Sequence, residues 1–351
     1  MAGIKHRLKV AAREAFARVV WHSGLHRLFD RLSGPRCLVL YGHCVADDEL
    51  NGALHPDMKI EAEHLGSILA ALGKRYDLVT VAEGAARIRS GRGRSCVALS
   101  MDDGYRDNLL RLVPLLERHG ARATVFLEAG AVAERRLPWL HALGWLEAQH
   151  GAAHLSNRLA ELVPEHRAAL ETCTDGNRLK RILKYDADPS ERDRALDELL
   201  DEACADRRAI VDALYLSEDE ARALAAAGPV ELGGHTVAHP VLARLDEDAQ
   251  RAEIAGGRNA LAGVVGDVAG ATFAYPYGRP WDWDAASKRA VESAGYASAV
   301  TTIAGVNTVS TDPYALRRWP IHAGSRLHVL GTEASGAFEW LRRLGVELVQ
   351  S

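Results

Sequence analysis

Cys96-Val97-Ala98-Leu99-Ser100-Met101-Asp102-Asp103-Gly104-Tyr105 is an apolar run that ends in two adjacent carboxylates and a glycine. Its length and composition are those of a buried strand. Working outward, similar runs recur at Cys37 to Tyr41, Leu78 to Val81, Ala123 to Leu127, Val230 to Leu232, Thr272 to Tyr275 and Ala297 to Thr301. Helical patterns lie between them, among them His64 to Leu72, Asn108 to His119, Glu218 to Ala227, Glu247 to Val264 and Ala285 to Ala294. Ser217, with Asp219 and Glu220 close behind, reads as a helix cap. Alternation of this kind predicts an α/β fold with parallel strands and outer helices, either a doubly wound sheet or a (β/α) barrel. Residues 138–215 break the rhythm with a helical, charge-rich stretch that reads as an insertion.

The 351 residues are 48% hydrophobic and 26% charged, enough to build a large core and too ordinary for a disordered or collagen-like chain. A formal net charge of −4 argues against a globally basic, nucleic-acid-binding surface. The five cysteines, Cys37, Cys44, Cys96, Cys173 and Cys204, include no CxxC spacing, which predicts a reducing compartment and no thiolate zinc site. With no bilayer-spanning apolar stretch and no signal-peptide pattern, the expected location is the cytoplasm.

One end of the chain is different. Residues 1–32 carry Lys5, Arg7, Lys9, Arg13, Arg18, Arg27 and Arg31 against Glu14 and Asp30, so this segment is +5 and the remainder −9. Leu8, Ala12, Ala15, Val19 and Trp21, then Leu25, Leu28, Phe29 and Leu32, recur at roughly helical intervals until Gly34-Pro35. A basic amphipathic helix over 1–34 either packs on its own domain or lies on an anionic membrane through residues 5–31. The rest of the chain, 35–351, reads as one barrel with the insertion at about 138–215.

Asp102 and Asp103 at a strand end would stand at the C-terminal rim, where barrel enzymes place catalysis. Their mutual repulsion would be relieved by a cation, although Asp-Asp-Gly is also an ordinary turn and cap. Glu231-Leu232-Gly233-Gly234-His235-Thr236-Val237-Ala238-His239-Pro240 places two histidines four apart after another apolar run. On one helical turn both imidazoles would share a face, and with a carboxylate they would leave open positions on a divalent metal. Phe273-Ala274-Tyr275-Pro276-Tyr277-Gly278 follows the next run as a sharply turned loop whose amides can face an oxyanion.

Together the three elements resemble the polysaccharide deacetylase family, carbohydrate esterase family four, the NodB-homology domain. Asp102-Asp103-Gly104, His235-Thr236 with His239, and Pro276-Tyr277-Gly278 are similar to its motifs, and the likeness runs from about Leu38 to Ile321. It implies a distorted (β/α) barrel of about seven strands. It further implies that Asp103, His235 and His239 bind a divalent metal, zinc first, with iron, cobalt or nickel suited to the same ligands. In that likeness Asp102 is the general base, and the backbone amide of Tyr277 helps hold the oxyanion. Two departures stand out. Ala274 occupies the place of the family's usual Arg, leaving Arg317 or Arg318 to support Asp102, and no clear Leu-x-His supplies a general acid. His322 is the candidate by position, with His43 bordering the pocket.

The implied activity is metal-dependent hydrolysis of an N-acyl group, N-acetyl first, on an amino sugar of a glycan, lipid-linked glycan or polysaccharide precursor. Two other readings are a barrel that binds glycans without hydrolysis and a hydrolase of a non-sugar amide or cyclic imide. Trp281, Trp283, Trp139 and Trp145 are available as sugar-stacking platforms.

Overall fold

The structure is a computed structural model that describes residues 2–51, 54–266, 272–346 and 348; the side chains of residues 1–7, with Lys5 and Arg7 among them, lie outside the described residues. The strands are β1 (Cys37–Gly42), β2 (Cys44–Val45), β3 (Lys59–Ile60), β4 (Asp77–Val79), β5 (Cys96–Met101), β6 (Ala123–Leu127), β7 (Val230–Gly234), β8 (Thr272–Ala274), β9 (Ser298–Val300) and β10 (Arg318–Pro320). Seven of them form a parallel sheet in the order β10-β1-β5-β6-β7-β8-β9, with β4 joined to the first half of β5 and β2 paired with β3 separately. The two ends of the order approach each other, because Val300 bridges to Leu316 and the Arg318 amide donates to the Ile303 carbonyl. The sheet is therefore nearly closed into a (β/α) barrel, the architecture that the family resemblance implies and one of the two that the alternation leaves open. β10 is the strand that the apolar pattern does not announce, since Arg318-Trp319-Pro320 is short and half polar and pairs with β1 through Val39, Leu40 and Tyr41.

Alternation along the strands sorts the side chains. Leu38, Leu40, Val97, Leu99, Met101, Val125 and Leu232 join the main core beneath the outer helices, of which Ala62–Gly73, Val113–His119, Glu218–Ala226 and Glu247–Val265 carry much of the cover. The opposite set, Cys37, Val39, Cys96, Ala98, Phe126, Ala274, Val300 and Leu316, forms a second cluster closed by the helix Val81–Ser90. Phe126 fills this space so closely that a Cβ at Gly233 would lie 2.5 Å from its ring. Asp102 has the parity of Cys96, Ala98 and Ser100, so it enters the barrel's mouth.

Between β6 and β7, the helices Trp139–His150, Ala152–Leu162, Arg167–Glu171, Gly176–Tyr185, Pro189–Glu202 and Arg207–Leu214 build a cluster of their own around Leu143, Leu159, Leu183 and Leu196. Tyr277 of the β8 loop packs against that cluster, which brings the helical stretch over the C-terminal rim. At the start of the chain α1 (Ala2–His22) and α2 (His26–Leu32) lie against the helices Leu327–Ala334 and Ala337–Arg343.

Candidate active site

Asp103, His235 and His239 meet at the mouth of the barrel, each offering one ligand atom within 4.8 Å of the others. The Asp103 Oδ1 atom is 3.3 Å from His235 Nε2 and 3.7 Å from His239 Nε2, and the two Nε2 atoms are 3.1 Å apart. His235 Nδ1–H donates to the Ala274 carbonyl at 2.7 Å, so in the neutral ring Nε2 is the atom that turns its lone pair toward the cluster. All three residues are buried, and Asp103 Oδ1 and His239 Nδ1 have no hydrogen-bond partner among the described residues. Two imidazole nitrogens facing each other beside an unsatisfied carboxylate oxygen repel unless a proton or cation lies between them. The donor set fits a divalent metal with nitrogen and oxygen ligands.

The backbone that brings the histidines together differs from the helical turn expected from their spacing. Residues 235–239 are not helical; Thr236 and His239 adopt φ of 65° and 53°. Glu253, on the helix Glu247–Val265, accepts from the Val237 and Ala238 amides at 3.0 and 2.9 Å, and Thr236 Oγ1 accepts from the His239 amide at 3.0 Å. These bonds satisfy amides that a helix would have left to its first turn. Asp103 (φ 76°) and Tyr277 (φ 60°) share the left-handed conformation, so strained backbone is gathered at this rim.

Asp102 is held apart from the cluster. The Arg318 guanidinium donates to both of its oxygens, at 2.7 and 2.9 Å, and Nε–H donates to the Thr301 carbonyl at 2.8 Å. The guanidinium lies over the Tyr41 ring, 4.5 Å from its centroid. Of the two arginines named from sequence, Arg318 is therefore the partner. Burial pushes the Asp102 carboxyl up, but Arg318 and then His235 outweigh it and hold it below the usual range. Asp103 is likewise held well down, against burial, by His235, His43 and His239. Burial and the charge of His235 push His239 down to about 3, whereas the two carboxylates raise His235 despite its burial.

Tyr277 follows β8 in a tight turn, with Gly278 N–H donating to the Pro276 carbonyl at 2.6 Å and Thr302 Oγ1 donating to the Tyr277 carbonyl at 2.7 Å. Its ring meets His239 edge-on with centroids 4.5 Å apart, and its hydroxyl accepts from Trp139 Nε1 at 3.2 Å. His322, just beyond β10, is half-buried; its Nδ1 accepts from the Gly324 amide at 3.0 Å, and its own amide donates to Ser325 Oγ at 2.9 Å. Those contacts are within its own loop. His43, at the end of β1, is close enough for its charge to lower both Asp102 and Asp103.

Three groups that the sequence reading did not single out also face this rim. Lys184 Nζ, from the helix Gly176–Tyr185, sits 3.2 Å from the Tyr277 ring centroid and 3.8 Å from Asp282, and burial draws its ammonium down to about 7. His141 Nε2 pairs with the Tyr105 hydroxyl at 2.7 Å, and burial lowers its imidazole to about 4. Glu128, directly after β6, is buried and pushed well up by burial and by Asp103. Its inward parity follows from Phe126, but the other two come from the insertion, whose register over the barrel no local pattern reveals. Of the tryptophans, Trp139 is buried and Trp283 stacks on Tyr275 at 4.7 Å, so both serve packing; Trp281 remains 56% exposed.

Residues 89–299, more than half of the chain, match the family model described as Polysaccharide deacetylase. No curated protein matches. Among solved structures, the Streptococcus pyogenes deacetylase PplD in complex with acetate is similar at 14% identity with a TM-score of 0.55, covering 86% of this chain and 99% of that one. IcaB from Ammonifex degensii is similar at 17% identity with a TM-score of 0.55, covering 86% and 98%. BC0361, a polysaccharide deacetylase from Bacillus cereus, is similar at 15% identity with a TM-score of 0.54, covering 85% and 69%. These likenesses show a shared fold, and the sequence match, whose span takes in Asp102, Asp103, His235, His239 and Tyr277, goes further: the chain belongs to the polysaccharide deacetylase family.

Proposed function

We propose that this protein is a metal-dependent deacetylase that removes an N-acyl group, N-acetyl first, from an amino sugar of a glycan or glycan precursor. The observation that carries the reading is the convergence of Asp103, His235 and His239, with the buried Asp103 Oδ1 unpartnered, beside a carboxylate that Arg318 keeps out of the cluster. Asp103 and the two histidine Nε2 atoms would hold the metal. When bound, such an ion supplies a polarised acyl oxygen and a more acidic water.

The chain's own groups then divide the work. Asp102, ionised because Arg318 holds it so, takes the proton of the attacking water. The Tyr277 N–H, which has no partner among the described residues, is free to donate to the oxygen that gains charge. The departing amine needs a proton, and His322 is the proposed donor. Only the imidazolium form of the ring can protonate an amine, and in that form Nδ1 carries a hydrogen and gives up the bond from Gly324. Asp102, protonated in the first half of the reaction, is the competing donor. The buried Asp102–Arg318 pair beside the ligand cluster favours hydrolysis over glycan binding alone, because a binding site has no use for a separately held base.

Purified protein loaded with Zn2+, Co2+, Ni2+ or Fe2+, incubated with N-acetylated sugars, nucleotide sugars and lipid-linked glycans, tests this by mass spectrometry. Loss of an acetyl mass from an amino sugar, abolished by a chelator and restored by metal, is the expected result. Turnover confined to cyclic imides or non-sugar amides would overturn the substrate assignment, and turnover unaffected by chelation would overturn the metal.

A further inference from the structure

α1 buries one side and exposes another that is equally apolar. Ala17 and Val20 are fully covered against the helix Leu327–Ala334, and Trp21 lies so close to Gly331 that a Cβ there would overlap its ring. On the opposite side Leu8, Ala12, Ala15 and Val19 are all exposed, Leu8 at 65% and Val19 at 61%. Their spacing of four, three and four places them within about 60° of arc on a helix. Lys9 and Arg18, also exposed, flank this stripe on either side.

α2 repeats the arrangement. Its His26 is buried and Phe29 meets Trp340, while Leu25, Leu28 and Leu32 are exposed beside exposed Arg27 and Arg31. Exposed Trp340 extends the surface from the adjoining helix Ala337–Arg343, tied to the end of α2 by its Nε1–H donating to Ser33 Oγ at 3.0 Å, and Leu344 and Val346, just past that helix, are exposed as well. Of eleven exposed large apolar side chains among the described residues, eight belong to residues 8–32 and 340–346. An apolar surface concentrated to this degree marks an interaction site.

The charges select the partner. Both acidic residues of the segment turn inward: Glu14 pairs with His328 at 2.7 Å, and Asp30 is held by Arg36, Arg75 and the Tyr76 hydroxyl. The outward charges of α1 and α2 among the described side chains, Lys9, Arg18, Arg27 and Arg31, are therefore all positive. No described helix is long and apolar enough to cross a membrane. We infer that the outer faces of α1 and α2 seat the protein on an anionic lipid surface, with Leu8, Val19, Leu25, Leu28 and Leu32 entering the headgroup boundary and the four cations meeting lipid phosphates. A symmetric pairing of two copies through this face would set like charges together.

Deleting the segment would uncover the helix Leu327–Ala334, so surface substitutions make the test. Full-length protein is sedimented with vesicles of 70% phosphatidylcholine and 30% phosphatidylglycerol, and with pure phosphatidylcholine, at physiological salt. The variants are L25Q/L28Q/L32Q, L8Q/V19Q and R27Q/R31Q, each checked for unchanged thermal unfolding. Binding is expected to the anionic vesicles, with a loss of roughly tenfold or more in each variant and on neutral vesicles. Equal binding of wild type and all variants overturns the inference, as does absence of binding. A dimer that the leucine variants split, without vesicle binding, assigns the face to a second copy and overturns it too.

Discussion

Arg318 reaches across β1 from β10 to grip both carboxylate oxygens of Asp102 at the end of β5. The pair is buried, 0% and 5% exposed, and the arginine's further bonds, to the Thr301 carbonyl at 2.8 Å and Ser100 Oγ at 3.3 Å, fix its plane. A planar fork of this kind positions a carboxylate and keeps it ionised, which a point charge does less well.

Arg318→Lys should therefore keep a cation and lose the fork. The Asp102 carboxyl then rises from its depressed position, because less charge stabilisation opposes the burial. The base is lost as pH falls through its folded value, so the acid limb of kcat/KM should move to higher pH. Turnover at neutral pH should fall about 10- to 100-fold, part of the ~10²–10⁴ that a positioned base supplies. Metal content should not change. A pH–rate profile with metal analysis checks this, and an unmoved acid limb would count against Asp102 as the base.

Asp102→Asn removes the proposed base and leaves the proposed ligands intact. Activity should drop by ~10²–10⁴ with stoichiometric metal retained. The asparagine leaves the Arg318 charge buried without its counter-ion, which in comparable pairs costs about 3–5 kcal/mol, so denaturant unfolding should show a clear loss of stability. Full activity in this variant would place the base elsewhere.

Much of this site can be read in the chain before any coordinates, and the reason is periodicity. Once Cys96 to Met101 is a strand, Asp102 must share the inward face of Ala98 and Ser100, and parallel strands put all such ends at one rim. His235 follows the same logic on β7, with the parity of Gly233, whereas Tyr277 lies three residues past β8 in a turn and only its place at the rim follows from the strand. The sequence narrows the partner of Asp102 only to Arg317 or Arg318, since choosing between them requires the register of β10 against β1, set by three residue pairs far apart in sequence. Lys184 and His141 depend on how the insertion folds back over the barrel, a tertiary fact without a local signature. At the N-terminus the apolar spacing was visible, but the face that packs uses Ala17 and Val20, a different stripe from the exposed Leu8, Ala12, Ala15 and Val19.

Metal uptake at mildly acidic pH should release up to one proton, and it should come from His235. In the metal-free site the two carboxylates raise this imidazole above its ordinary 6.5, so it is charged below that raised value and must lose its proton before Nε2 can act as a ligand. His239, already drawn down to about 3, and Asp103, held well below the carboxylate range, have none to give near neutrality. Metal affinity should therefore rise with pH up to the folded value of His235 and level off above it. Titration calorimetry in buffers of different ionisation enthalpy measures the proton count; release of two protons at pH 6 would contradict the assignment. His235→Ala or His239→Ala should abolish stoichiometric binding while the barrel remains folded.

His322→Gln tests the proton donor. If His322 protonates the departing amine, kcat should fall by at least tenfold with KM little changed. An unchanged kcat would mean that Asp102 returns the proton it took. His43→Gln, at the neighbouring strand end, is the companion variant, since its charge lies near both carboxylates.

The loop that carries His235 and His239 should also be sensitive to a position that touches neither histidine. Gly257 lies on the helix Glu247–Val265, where a Cβ would come within 2.8 Å of the Thr236 carbonyl carbon and 2.9 Å of its oxygen. Both contacts are with backbone, so the loop itself must move, and Thr236 and His239 already hold left-handed conformations that leave few alternatives. Gly257→Ala should destabilise the protein by about 1–3 kcal/mol despite alanine's better helix propensity, and it should weaken metal binding by separating His235 from His239. Gly256→Ala is the control, because its Cβ would meet only Val237 Cγ2 at an ordinary 3.5 Å. That variant should gain up to about 1 kcal/mol from helix propensity and bind metal as before. Denaturant unfolding and metal titration of the two variants side by side separate a general helix effect from pressure on the loop. Equal metal affinity in both would show that the Thr236 backbone gives way without disturbing the histidines.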